Sequence, residues 1–228
     1  KLGRGVFEKL LHEPLTLWNL LSPYIHGVVR VKIPCSTAPS FISDHIEPRV
    51  TAHTRQSAGN ILTPERQAAI DRYRFVRNWT EELAAPLSPE DQVVQSMADA
   101  SPTKWHRAHT TWLFETVLLK PYLAGYQEHD PAYAFLYNSY YEGIGPRFTR
   151  PDRGLLSRPS GDQIRKYRND VDASMETLIA ELDDSKWDAF TALLDLGLNH
   201  EQQHQELLLT DIKHLLSRNP TFPAYRDD

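Results

Sequence analysis

From Trp187 to Leu216 the chain contains no proline and a single glycine, Gly197. A stretch of that length and composition has one economical fold, an α-helix roughly 45 Å long. Within it stands His200-Glu201-Gln202-Gln203-His204. Two histidines four apart on a helix lie on one face about one turn apart, close enough for both imidazoles to reach one metal ion. Leu193, Gly197, His200, His204, Leu207, Leu208, Asp211 and Leu215 fall on one side of the helical wheel, so the pair is expected to face the core. A buried imidazole needs a partner for each nitrogen, and metal ligation with an acceptor behind it satisfies both. The bland alternative is a structural histidine pair.

Two ligands do not complete a site, so the remaining helices matter. Thr63-Pro64 with Glu65 in the first turn starts a helix whose apolar residues Ile70, Tyr73, Val76 and Leu83 carry it to about Ala85, before Pro86. Asp91 to Met97 is expected to form a short helical turn. Ser101-Pro102 opens the next long helix, through Trp105, His106, His109, Trp112 and Leu119 to Pro121. Residues 130 to 160, rich in tyrosine, arginine, proline and glycine, predict a long crossover with a short helix in it. Ser160 caps a third long helix from about Asp162 to Leu182, and Asp183 or Asp184 caps the fourth, which ends at Asn219-Pro220. The fold class expected is all-α, a four-helix bundle with a long crossover connection, a fold that builds metal sites from side chains on facing helices.

Residues 1–58 behave differently. Lys and Arg exceed Asp and Glu there by seven to four, against eighteen to twenty-six in the remainder, and Pro34, Pro39 and Pro48 interrupt any period. They are expected to form an irregular leader, followed by the bundle over 59–219 and a short segment, 220–228, opening a linker. The apolar stretch Leu15 to Val31 is broken by Asn19, Ser22, Pro23 and His26 and is too short to span a bilayer. A net charge of -5 gives no reason to expect nucleic acid or an anionic membrane as partner. One cysteine, Cys35, excludes an intramolecular disulfide and suits a reducing compartment, so the expected location is the cytoplasm.

His200 to His204 also matches H-E-x-x-H, the zinc peptidase signature in which Glu201 would be the general base. The extended form of that motif wants Gly and His where the chain has Leu207 and Thr210, and the only glutamate beyond His204 is Glu206. His214 lies about 15 Å along the axis from His204, too far to share an ion. The third ligand therefore comes from another helix, with His109 and His106 as candidates.

Three separated segments carry a resemblance. They are Ser101 to Glu115 (SPTKWHRAHTTWLFE), Arg150 to Pro159 (RPDRGLLSRP) and Asn199 to Glu206 (NHEQQHQE). Together, over about residues 60–228, they resemble the DinB-like N-terminal domain of ergothioneine-biosynthetic sulfoxide synthases. The resemblance implies a mononuclear non-haem iron(II) held by His109, His200 and His204, with zinc as an alternative occupant after purification. It further implies an O2-dependent reaction joining the C2 carbon of hercynine to a cysteine-type thiol, cysteine or gamma-glutamylcysteine. Gln203 matches a position near the hercynine imidazole, and Arg150 and Arg153 match arginines that grip carboxylates of the thiol substrate, a task suited to a planar guanidinium. Members of that family continue into a second domain, related to formylglycine-generating enzymes, which supplies a catalytic tyrosine. The expectation is therefore an iron-binding half, inactive alone or working with a separately encoded domain. A stand-alone DinB-like metal-dependent thiol transferase is the alternative, and a zinc peptidase a remote one.

Overall fold

A computed structural model describes residues 62–139 and 145–226. Helix α1 spans Pro64–Ala84, with the Thr63 hydroxyl accepting from the Arg66 amide at 3.3 Å and Pro64 in the first turn. Helix α2 spans Thr103–Phe114 and widens into a π-helical turn over Glu115–Leu119 before a last turn, Lys120–Tyr122. Pro121 has no amide to offer the carbonyl four residues back, and the widening falls just ahead of it. Short α3, Tyr133–Tyr137, and a 3-10 segment, Arg150–Leu155, lie in the crossover. Helix α4, Gly161–Glu181, opens on a full capping box in which the Ser160 hydroxyl and the Gln163 side chain each accept from the other's backbone amide. Helix α5, Trp187–Arg218, runs for 32 residues. Asp183 caps the single 3-10 turn that leads into it.

Helices α1 and α2 each pack against both α4 and α5 but touch one another little, so the four long helices form a bundle with α1 diagonal to α2. The described residues contain no strand, as an all-α bundle requires. Residues Asp91 to Met97 differ from expectation. They form turns and bends instead of a helical turn, although the Ser88 and Asp91 side chains each accept from the other's amide at their start. The expected leader, residues 1–58, lies outside the described residues. No helix among the described residues is long and apolar enough to cross a membrane.

The core comes in two apolar clusters separated by a polar layer. The larger gathers Tyr73, Trp105, Trp112, Phe114, Tyr167, Met175, Phe190, Leu194 and Leu198, among others. The smaller consists of Leu83, Leu87, Leu208, Ile212 and Leu216. Between Leu198 and Leu208, α5 presents polar residues to the interior: His200, Glu201 and Gln205 are all buried. The buried stripe of α5 thus runs through Leu194, Leu198, Glu201, Gln205, Leu208 and Ile212, rotated from the stripe expected. Leu207 is exposed, and Leu215, Asp211 and His204 stand only partly buried at its edge. The rotation has an electrostatic cause. Glu201 sits on the bundle axis because Arg77 of α1 and Arg168 of α4 reach it from both sides, at 2.9 Å each.

A candidate metal centre between α2 and α5

His109 comes from the middle of α2, His200 and His204 from successive turns of α5. One nitrogen from each imidazole can be chosen so that all lie within 4.8 Å of one another. His109 Nε2 and His200 Nε2 are 3.2 Å apart. Two nitrogens bound to one ion at ~2.1 Å stand about 3.0–3.4 Å apart, so this pair already has ligand spacing.

Neighbours fix His109 closely. Its Nδ1 lies 2.6 Å from the Tyr137 carbonyl and donates to it, which leaves the lone pair on Nε2 directed at the site. Its ring stacks on Trp105 at 4.6 Å between centroids and on Trp112 at 5.9 Å. The indole of Trp105 is itself anchored to the Leu136 carbonyl. His106, one turn earlier, is not among the grouped ligand atoms. Its Nδ1 instead meets His204 Nδ1 at 2.9 Å, and its Nε2 meets Asp211 Oδ2 at 3.0 Å.

Burial keeps these imidazoles neutral. Desolvation, followed by the neighbouring His200, holds His109 and His204 well below the ordinary histidine pKa. His200 is lowered to about 4 by the same desolvation, against a smaller upward pull from Glu201. Neutral imidazoles offer lone pairs, the form in which histidine ligates a metal. His200 Nδ1 is buried without a hydrogen-bond partner. That donor set, all nitrogen and with open directions left around an ion, suits iron(II) or zinc.

Glu201 plays no part in it. Burial alone would raise its carboxyl, but Arg77 and Arg168 outweigh that and hold it ionised. Oε1 accepts from Thr80 at 2.7 Å and from Arg168, and Oε2 accepts from Arg77, so both oxygens are committed away from the histidines. A general base over a metal needs an oxygen free to take a proton from bound water, and this glutamate has none to spare. Sequence reading missed this network. Arg77 and Arg168 lie at core positions of α1 and α4, next to or one turn from the buried tyrosines Tyr167 and Tyr73, and an arginine on a buried face is the signal that a carboxylate waits opposite.

The arginines singled out from sequence lie beside the site. Arg150, Arg153, Arg147, Ser139, Phe148 and Thr149 line a cleft of about 330 Å3. Arg153 is buried, donates to the hydroxyls of Ser101 and Ser139, and places its guanidinium 3.4 Å from the centre of the Trp105 ring. Trp105 stacks in turn on His109, so cleft and histidines share a wall. Arg150 donates to the Asp99 carbonyl. Gln203 is partly buried on α5, adjacent to His204.

The sequence model of the DinB superfamily matches residues 72–208, from α1 through both α5 histidines. The chain belongs to the DinB superfamily. Members of this superfamily often bind a metal, and in this DinB domain the matched region holds all three clustered histidines. No curated protein matches the chain.

Proposed function

We propose that this DinB domain is the metal-binding part of a non-haem iron(II), O2-dependent sulfoxide synthase that joins hercynine to a cysteine-type thiol. The observation that carries the reading is the convergence of His109, His200 and His204 from two facing helices, at the positions where the ergothioneine-pathway resemblance puts iron ligands. Bound there, iron(II) would supply O2 chemistry. In the overall reaction the hercynine C2–H and the thiol S–H give their hydrogens to water, one oxygen of O2 leaves in that water, and the other ends on sulfur. The chain's own contribution is placement. The cleft offers Arg150 and Arg153 for the thiol substrate's carboxylate, separated from His109 only by Trp105, while Gln203 stands beside His204 for the imidazole partner. On this reading the proton donor, a tyrosine, and the rest of the enclosure come from a second domain.

The stand-alone thiol transferase remains the second reading, favoured by one fact: the histidine cluster lies entirely within the DinB match. Both oxygens of Glu201 being taken speaks against the peptidase. Incubating the iron-loaded chain with hercynine, O2 and cysteine or gamma-glutamylcysteine, and looking for the sulfoxide by mass, separates the readings. The expected result is no sulfoxide from the chain alone, and sulfoxide once a formylglycine-generating-enzyme-like domain is added. Product without that domain would favour a complete active site within the four helices.

A further inference from the structure

We propose that Asp211 and His106 form a positioning relay that holds His204 in the tautomer presenting Nε2 to the ion. The inference rests on the three-histidine reading of the site. Asp211 lies two turns beyond His204 on α5, outside the matched region, and is pinned by the Ser101 amide at 2.9 Å, just ahead of α2. Its carboxylate Oδ2 stands 3.0 Å from His106 Nε2. A carboxylate only accepts, so Nε2 of His106 carries the hydrogen, and a neutral His106 then has its lone pair on Nδ1. That lone pair faces His204 Nδ1 at 2.9 Å, and the contact is a hydrogen bond only if His204 Nδ1 carries a hydrogen. His204 Nε2 is left with the free lone pair, the nitrogen that His106 does not engage. The logic runs in one direction, from a backbone amide through a carboxylate and one imidazole to a ligand on the opposite helix. His109 obtains the same result from a carbonyl. For His204 another histidine takes the role.

The test uses the full chain and zinc as probe. His106→Phe keeps a flat ring but removes the acceptor, and zinc affinity by chelator competition is expected to fall on the order of 10–100-fold. His106→Gln restores an acceptor toward His204 and a donor toward Asp211, and should recover most of that loss. Nitrogen-15 histidine spectra of the zinc-loaded wild type should show His204 protonated at Nδ1 and metal-bound at Nε2. Equal losses in the Phe and Gln variants, wild-type affinity in the Phe variant, or ligation through His204 Nδ1 would each overturn the relay. Should the Phe variant not fold, the wild-type spectrum alone decides. A wild-type chain that takes up no zinc overturns the three-histidine reading, and the relay with it.

Discussion

A histidine whose nitrogens are shut away from water resists protonation, and His200 shows what that does to the metal-free protein. Its folded pKa, about 4, lies below its ordinary 6.5. The unfolded chain therefore binds the proton first as pH falls, so this residue's contribution to stability is complete above about pH 6.5 and drains away toward pH 4. The loss amounts to about 3 kcal/mol from His200 alone, and His109 and His204 shift in the same direction. Urea melts of the chelator-treated chain between about pH 7 and about pH 5 are expected to show this decline, and His200→Gln should flatten part of it. An unchanged slope in the variant would mean that His200 titrates like an exposed histidine. Helical spacing was enough to single out His200 and His204 as a pair, since i, i+4 periodicity survives in a bare sequence. The role of Glu201 was not legible, because a charged residue reads as surface until its partners are seen, and Arg77 and Arg168 lie on other helices.

Between helices α2 and α5, Gly197 lies against Phe114. A Cβ built there would stand 2.7 Å from Phe114 Cε1 and 3.2 Å from Cζ. Phe114 is fully buried, edge-on to Tyr73 at 5.1 Å and beneath the Arg77 guanidinium at 5.3 Å. Gly197→Ala would gain ~1 kcal/mol of helix propensity and lose ~1–3 kcal/mol to overpacking, a net destabilisation. Thermal melting should register a lower Tm, with weaker metal binding because Gly197 precedes His200 by about one turn. A raised Tm would show that α2 and α5 can part without cost. The starts of α1 and α4 were readable from Thr63-Pro64 and Ser160, where the capping chemistry is local. The rotation of α5 was not, since it depends on Arg77 and Arg168, far away in sequence.

Across the whole molecule, the layer between the two apolar clusters pairs Arg77, Arg107 and Arg168 with Glu81, Asp172 and Glu201. Beside it, Arg153 and Asp211 contribute one charge of each sign around three uncharged imidazoles. With three arginines matched by three carboxylates and Arg153 by Asp211, these groups hold no surplus negative charge for an ion. A divalent cation would bring two positive charges into this interior with no carboxylate among the ligands, and the surrounding medium is poor at screening them. Electroneutrality then favours a co-ligand that carries its own negative charge. Azide or a thiolate should tighten apparent zinc binding on the order of tenfold, whereas a neutral ligand such as free imidazole should do so much less. Equal effects from both would show that solvent already balances the ion. The bundle's internal ion pairs thus act as a filter on what joins the metal: by holding Glu81, Asp172 and Glu201 elsewhere, they leave the centre with an appetite for anions.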